Sequence, residues 1–351
     1  MNKVEISELK AGMKLAKDVY LPDGRILLLS GFVVKERYIR KLELFKVPYV
    51  YVMEGELAKI ENISEEKVYS EAFHSIKSVM TSVREGKELD IKAVKDTVSC
   101  IVQKVINNET VFMQLTGIRD IDNYTFLHSV DVCIYSVITG RKLGYGDKEL
   151  TELGIGAVLH DIGKCKIPNE ILLKPGRLTK EEFEVMKKHS IFGYDIVINT
   201  PGLSKKIANI AYQHHEKWNG SGYPAGLSGN DIDSYARIVT AADIYDALTA
   251  DRVYRKRDMP HMAAEYIVAN SSVLIDPEIA KVFIKNITIY PEGAIVLMNT
   301  GEIGCVIEAD SNMSLRPKVR VIARKEGPPV LDTYVRNLMQ ELDVFIIDIL
   351  S

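Results

Sequence analysis

The sequence is poor in cysteine and contains no long apolar run. Its four cysteines, at positions 100, 133, 165 and 305, include no close pair of the kind that binds structural zinc or forms a redox motif. Such scattered thiols suit a reducing compartment. No stretch approaches the roughly 20 apolar residues that cross a bilayer, and the first residues lack the apolar core of a signal peptide. We therefore expect a cytoplasmic protein without a membrane span.

A surplus of charge of one sign is also missing. The formal net charge of -3 over 351 residues offers no basic excess for a DNA or RNA partner. An anionic ligand must therefore be met by local charge. The length exceeds that of a usual single domain, so we expect two or three domains with a substantial core.

The two ends of the chain have β-type patterns. Residues 1–60 carry short alternating runs on either side of a turn signal at Pro22, Asp23 and Gly24, which predicts a small α+β module. Residues 286–351 return to short β-prone runs punctuated by turns. They predict a small β-rich module at the C-terminal end.

The middle of the chain has helical patterns. Residues 61–108 are polar and place Ile76, Val79 and Val83 at helical spacing, which predicts a helical connector. Helical patterns also dominate residues 109–285, which contain every candidate catalytic residue. We therefore predict a mainly α protein, in which an all-helical catalytic bundle is flanked by the two small modules.

Two helices of the bundle have specific sequence signals. Thr179 and Glu182 form a capping box that starts one helix, and His189 is expected toward the end of that helix. On the other helix, apolar residues at the spacing i, i+3, i+4 and i+7 predict an apolar face, and His214 turns inward with that face. The members of that face are Ile207, Ile210, Ala211 and His214.

Five of the seven histidines lie between positions 128 and 215. Imidazole nitrogens and carboxylate oxygens without thiolates are the ligand set of a hydrolytic two-metal centre, in which one carboxylate can bridge both ions. Helical bundles build such sites from inward side chains on facing helices. The candidate ligands are His128, His160, Asp161, His189, His214, His215 and Asp243.

Each of these residues also has a plainer interpretation. An isolated histidine such as His160 is more often a hydrogen-bonded core residue than a metal ligand. Asp243 lies in a pattern of small and apolar residues, where an N-cap or a structural ion pair would also explain a carboxylate. The number of candidates at helical positions favours the metal site.

The motifs of residues 109–285 resemble those of the HD-GYP family, a subclass of the HD phosphohydrolase superfamily. HDIGK, from His160 to Lys164, is typical of the superfamily, whereas HHE followed by NG and GYP marks the subclass. The resemblance covers about half of the chain. It rests on YTFLHSVDV, HDIGK, KKHSIFGYDI, HHEKWNGSGYP and ADIYDALTADRVYR.

The resemblance implies a division of the ligands between two metal ions, with iron and manganese the first candidates. One ion would be held by His128, His160, Asp161 and Asp243. Asp161 would bridge to a second ion, whose other ligands would be His189, His214 and His215. Some family members add a third ion through a glutamate one turn before the first histidine, where this chain has Tyr124. We therefore expect two ions.

The family's activity implies hydrolysis of cyclic di-GMP to linear pGpG or onward to GMP. We expect attack by a metal-bridging hydroxide, since two divalent ions neutralise the phosphodiester and activate a water. Lys164, one helical turn after His160, would contact a phosphate oxygen or the leaving alkoxide, although a lone lysine is usually solvated. Arg252 and Arg255 are candidates for phosphate or guanine contacts, although such a pair is often a solvated face.

The GYP motif predicts a tight turn that closes against metal and substrate, with Tyr223 offering a ring for packing or stacking. A purely structural turn is an equal alternative. The resemblance also implies that this loop can dock partners such as diguanylate cyclase domains. The N-terminal module could sense a ligand, dock a partner or form a homodimer, and the sequence does not choose among these roles.

Two other functions stay open. An HD phosphohydrolase could act on another cyclic dinucleotide or nucleotide, because the metal site does not read the base. A catalytically silent module that binds cyclic di-GMP is the second, although the complete ligand set with Lys164 argues against it.

Overall fold

Two compact units make up the structure, a computed structural model. One unit contains Met1–Ser64 and Tyr290–Ser351, and the other contains Glu65–Ile289. The structure describes residues 2–17, 19–20, 26–28, 34, 39, 42, 47–53, 62–107, 124–250, 258–287, 289–290, 293–308, 316–325 and 333–350. Within these ranges no helix combines the length and apolar character that crossing a membrane requires.

The described part of the unit of residues 65–289 is helical, and the predicted mainly α fold is confirmed. A short 3-10 helix, Ile162–Lys166, follows its fourth helix. The described helices are α1 Asn62–Arg84, α2 Ile91–Asn107, α3 Tyr124–Lys142, α4 Asp147–Leu159, α5 Asn169–Leu172, α6 Lys180–Lys187, α7 His189–Ile198, α8 Lys205–Gln213, α9 Ser234–Thr249, α10 Pro260–Ala269 and α11 Pro277–Asn286.

Helix α4 lies at the centre of this unit and packs against α2, α3 and α8. Two glycines allow the close approach. A Cβ at Gly156 would lie 2.1 Å from Ile210 of α8, and one at Gly154 would lie 2.7 Å from Val98 of α2. Close packing of this kind fixes the direction in which the C-terminal end of α4 points.

The predicted capping box of α6 is confirmed. The Thr179 hydroxyl accepts a hydrogen bond from the Glu182 amide at 3.2 Å, and the Glu182 carboxylate accepts one from the Thr179 amide at 2.7 Å. The expectation that His189 lies toward the end of this helix is wrong. Helix α6 ends at Lys187, and His189 is the first residue of α7.

The apolar face predicted on α8 is also confirmed, since Ile207, Ile210, Ala211 and His214 are all buried.

The described residues 62–107 form the helices α1 and α2. Ile76 and Val79 of α1 are buried, and α2 packs on both α3 and α4. The Tyr69 hydroxyl of α1 donates a hydrogen bond of 2.7 Å to buried Asp131 of α3. These helices thus belong to the same compact unit as the bundle, while the predicted boundary near residue 109 lies outside the described residues.

The other unit contains the predicted β-rich C-terminal module. The described strands of this unit are β1 Asn2–Glu5, β2 Val19–Tyr20, β3 Ile26–Leu28, β4 Tyr49–Val52, β5 Ile295–Met298, β6 Glu302–Glu308, β7 Lys318–Arg324, β8 Tyr334–Asn337 and β9 Ile346–Ile349. The five strands of the C-terminal module form an antiparallel sheet with the order β8-β7-β6-β5-β9. In the N-terminal segment, β1 pairs with β4 and β2 pairs with β3, all antiparallel, while the turn signal at 22–24 lies outside the described residues.

Candidate metal centre

Helix ends and helix faces of the bundle bring all seven candidate ligands together. Asp161 follows α4 at the start of the 3-10 helix, and His189 begins α7. Helix α3 supplies His128, α9 supplies Asp243, and the end of α8 supplies the histidine pair. The atoms fall into two groups within which all lie within 4.8 Å of one another, namely Asp161, His189, His214 and His215, and His128, His160 and Asp243.

Asp161 belongs to the first of these groups and also faces the second. Its Oδ1 is 3.5 Å from His189 Nε2 and 3.7 Å from His214 Nε2. Its Oδ2 is 3.3 Å from His160 Nε2 and 3.8 Å from His128 Nε2. One carboxylate oxygen therefore faces each group, which is the arrangement that a bridging ligand requires.

Three of the histidines are oriented by backbone carbonyls. The Nδ1 atom of His160 lies 2.7 Å from the Ala157 carbonyl, that of His189 lies 2.7 Å from the Met186 carbonyl, and that of His214 lies 3.0 Å from the Ala211 carbonyl. Since a carbonyl can only accept, each Nδ1 carries the proton. The lone pair of each Nε2 then points into the centre, as a metal ligand requires.

The residues present fit a metal ion. Among the described residues, buried His160 Nε2 and Asp161 Oδ1 have no hydrogen-bond partner. Buried polar atoms are normally paired, because leaving one unpaired costs about 1–3 kcal/mol. Both atoms belong to the candidate ligand groups, and a divalent cation would satisfy both.

Asp246 also contributes to the site and escaped the sequence analysis. This fully buried carboxylate lies 2.5 Å from His128 Nδ1, while Asp243 Oδ1 lies 3.2 Å from His128 Nε2. Burial alone would lower the pKa of His128, but the hydrogen bonds to both aspartates outweigh it and raise that pKa to about 9. In the amino-acid sequence, the only signal for Asp246 as a partner of His128 was its position three residues after Asp243 on the same helix.

Three further ligands, His189, His215 and Asp161, have pKa values that leave them free of a proton and able to bind a cation. Burial lowers the pKa of His189 to about 3, so this ring is neutral at neutral pH. Burial also lowers the pKa of His215 well below its usual value. For Asp161, burial is opposed by the charge of Lys164, and the net effect holds its pKa well below the usual range.

The 3-10 helix places Lys164 beside Asp161. Its Nζ lies 2.5 Å from Asp161 Oδ2, and the side chain is partly exposed. The expectation of an α-helical turn between His160 and Lys164 is wrong, because α4 ends at Leu159. Gly163 explains the tight path: a Cβ there would lie 1.9 Å from the His189 carbonyl oxygen.

The GYP loop packs directly against the histidine pair. The Tyr223 ring lies 4.8 Å from the His215 ring, centroid to centroid, at 34°. A Cβ on Gly222 would lie 2.5 Å from the backbone of Glu216. Burial, with the charges of Asp161 and Asp243, raises the pKa of Tyr223 above its usual range, so the phenol remains protonated.

Glu216 anchors this loop and is the second residue that the sequence analysis missed. Its buried carboxylate accepts hydrogen bonds from the amides of Ala225, Gly226 and Leu227 at 2.7, 3.1 and 3.1 Å. Its position in the HHE motif was the available signal.

Three sequence-predicted positions cannot be placed in this site. Arg252 and Arg255 lie outside the described residues. Tyr124 is the first residue of α3, and its side chain also lies outside them. The expectation of two ions instead of three therefore stays a prediction.

Comparison with known proteins matches two parts of the chain to family models. Residues 123–279 match the HD domain model, and residues 295–351 match a KOW domain associated with HD domain. The C-terminal sheet described above lies within the second match.

The proteins similar to this chain include two curated relatives and one solved structure. "Cyclic di-GMP phosphodiesterase PA4108" of Pseudomonas aeruginosa is 34% identical over 263 residues, which cover 74% of this chain and 63% of that protein. "3'3'-cGAMP-specific phosphodiesterase 3" of Vibrio cholerae is 37% identical over 169 residues, which cover 48% of this chain and 36% of that protein. The chain thus spans less than two thirds of either relative.

The solved structure is Bd1817, a HDG"Y"P protein from Bdellovibrio bacteriovorus. It superposes with a TM-score of 0.55 at 20% identity, covering 80% of this chain and 97% of that one. At this identity the likeness shows a shared fold. Together with the HD domain match and the GYP loop packed on its histidine pair, these relatives identify the chain as a member of the HD-GYP family within the metal-dependent HD superfamily.

Proposed function

We propose that this chain is a metal-dependent phosphodiesterase that hydrolyses cyclic di-GMP to pGpG or onward to GMP. The single observation that carries the proposal is the position of Asp161, whose two carboxylate oxygens face the two ligand groups. The name of the P. aeruginosa relative supports the substrate.

Seven residues would hold the metal ions in this proposal. His128, His160 and Asp243 would bind one ion, His189, His214 and His215 the other, and Asp161 both. When bound, two divalent ions neutralise the phosphodiester and activate a water for attack. Iron and manganese are the first candidates, and cobalt and nickel stay open because histidine and carboxylate ligands accept all four metals.

The other residues of the site act on the substrate. Lys164 binds a non-bridging phosphate oxygen or steadies the leaving alkoxide, because its partly exposed ammonium already lies at Asp161. Tyr223 covers the histidine pair on one side, excludes water there and keeps its phenolic proton for a hydrogen bond to the substrate. Arg252 and Arg255 remain our candidates for further phosphate or guanine contacts.

The place of action is part of the proposal. All four cysteines are free thiols, which suits a reducing cytoplasm. Docking of diguanylate cyclase domains at the GYP loop and formation of a homodimer stay predictions from the sequence.

A test combines metal analysis with product chromatography on protein purified without oxygen. We expect divalent metal in the protein and conversion of cyclic di-GMP to pGpG. The Asp161→Ala variant should lose turnover and metal together, because both ligand groups lose their shared member. Unchanged activity in this variant would refute the bridging role. Binding of cyclic di-GMP by metal-replete protein without release of pGpG would instead indicate a silent signalling module.

A second candidate function is hydrolysis of another cyclic dinucleotide. The V. cholerae relative, which is named for 3'3'-cGAMP, favours this alternative. Parallel kinetics with cyclic di-GMP, 3'3'-cGAMP and cyclic di-AMP separate the two candidates. Cleavage of 3'3'-cGAMP without cleavage of cyclic di-GMP would replace the first proposal with the second.

A further inference from the structure

Helix α6 stands beside the metal centre and contributes no buried residue to the core. It is nevertheless held firmly in place. Its capping box closes its first turn, and Lys174 Nζ lies 2.6 and 2.8 Å from the two carboxylate oxygens of Glu182. Val185 and Met186 of this helix are half-buried, but other side chains of the helix are exposed to solvent.

One of those side chains is the phenyl ring of Phe183, which is 46% exposed. Its centroid lies 6.3 Å from that of Tyr223, with the rings at 81°. Tyr223 in turn packs on the ring of the metal-ligand candidate His215. A series of packed rings thus runs from His215 at the metal centre through Tyr223 to the exposed ring of Phe183.

Lys187 completes this surface. Its Nζ lies 5.5 Å from the centroid of Phe183 and 5.7 Å from that of Tyr223, within the range of a cation–π contact. Glu184 Oε1 holds the ammonium at 2.7 Å. The side chain is still partly exposed, so the ammonium can donate to a ligand that reaches the two rings.

These features match the chemistry of a guanine base. A base can stack on an aromatic side chain, and guanine presents O6 and N7 as two acceptors on one edge, which lysine recognises. Adenine presents a donor in place of O6. The Phe183 ring beside the Lys187 ammonium therefore favours guanine over adenine.

We propose that Phe183, Lys187 and Tyr223 form a base-binding subsite for guanine beside the metal centre. Phe183 stacks on the base, and Lys187 donates to O6 and N7. The inference rests on the proposed hydrolysis of a cyclic dinucleotide and adds a specificity-determining contact to it, because the metal ligands alone do not read the base.

Three substitutions in the full-length, metal-loaded protein test the subsite by steady-state kinetics. Phe183→Ala should lower kcat/KM for cyclic di-GMP about tenfold, mainly through KM, and Phe183→Trp should restore it, since stacking needs only an aromatic face. Lys187→Gln should lower kcat/KM for cyclic di-GMP about tenfold and reduce the preference over cyclic di-AMP, since glutamine matches the adenine edge.

Lys180→Gln is the matched control, because it makes the same change of charge on an exposed residue of the same helix. It should behave like the unsubstituted protein. Metal content and melting temperature should be equal in all four variants, which excludes a merely structural effect. Equal kinetics for Lys187→Gln and Lys180→Gln, or full activity in Phe183→Ala, would overturn the subsite.

The unsubstituted protein distinguishes the two levels of the proposal. If it cleaves only 3'3'-cGAMP, the proposed substrate is wrong, and the variants are compared on that substrate, which also contains a guanine. If it neither cleaves nor binds any guanine dinucleotide, the subsite is overturned together with the substrate.

Discussion

At the scale of single residues, the metal centre depends on groups that do not themselves contact an ion. Asp246 is the clearest, because its carboxylate fixes the ring of His128 through Nδ1 at 2.5 Å. Partners of this kind orient a ligand and raise its basicity, and their loss usually costs about 10- to 100-fold in metal affinity or activity.

We therefore expect Asp246→Asn to lower both metal content and turnover about tenfold or more, without unfolding the protein. Metal per chain, measured by mass spectrometry after dialysis against a weak chelator, checks this. Asp195→Asn on the exposed face of α7 is the matched control and should keep its metal. Full occupancy in Asp246→Asn would show that the carboxylate serves packing only.

The protonation of His128 gives a second prediction for a single residue. In the metal-free protein its pKa is raised from 6.5 to about 9. A histidine with a raised pKa stabilises the fold fully below the unfolded value and loses that contribution as the pH rises through the folded value. The free energy of unfolding should thus fall between pH 6.5 and 9, by about 3 kcal/mol if each pKa unit contributes about 1.4 kcal/mol.

Urea denaturation in the presence of a chelator, at several pH values across this range, measures the slope of the free energy of unfolding against pH. His128→Gln should be less stable at pH 6.5 and should show a much smaller slope. A metal ion competes with the same proton, so the slope should also shrink when metal is restored. If His128→Gln has the same slope as the unsubstituted protein, the pH dependence of stability comes from other groups.

At the scale of elements, the GYP loop packs on the metal centre and is held there by hydrogen bonds to one carboxylate. The Glu216 carboxylate holds it through the amides of Ala225, Gly226 and Leu227. These three hydrogen bonds are each stronger than a hydrogen bond between neutral groups, because the carboxylate acceptor carries a charge.

We expect Glu216→Gln to loosen this loop while the helices remain folded. Hydrogen exchange should speed up at residues 219–229, and kcat/KM should fall because Tyr223 no longer keeps its place on His215. Exchange measured by mass spectrometry localises the effect, with exposed Glu170→Gln as the control. Unchanged exchange in the loop would remove Glu216 from this role.

The elements also show how far sequence patterns reach. The capping box at Thr179 and the buried face of α8 were predictable, because each depends on residues close together in the chain. The break between α6 and α7 was not. Lys188 joins the two helices with φ -64° and ψ -15°, and no glycine or proline marks the position.

The candidate ligands were predictable from their motifs, whereas the partners that their supporting groups contact were not. Glu216 binds amides nine to eleven residues away, and Asp246 reaches His128 on another helix. Such contacts depend on tertiary packing, which no local spacing encodes.

At the scale of the whole molecule, the two compact units should respond to different perturbations. All candidate metal ligands lie in the unit of residues 65–289, on segments far apart in the sequence. A bound ion links these segments only when they are folded, so metal binding is coupled to the stability of that unit. The C-terminal sheet has its own polar anchor at Glu302.

Glu302 is buried on β6 and accepts hydrogen bonds from the Tyr334 hydroxyl, from Arg336 Nε at 2.6 Å and from Thr300 at 2.9 Å. Removing its charge leaves partly buried Arg336 without its main partner. We expect Glu302→Gln to destabilise the sheet by about 2 kcal/mol.

Calorimetry of the full chain tests the separation of the two units. A chelator should lower the melting transition of the helical unit alone, and Glu302→Gln should lower the other transition alone while turnover and metal content are kept. Restoring the metal should recover the first transition but not the second. If the chelator and Glu302→Gln shift both transitions equally, the units unfold as one body, and metal binding would then stabilise the C-terminal sheet as well.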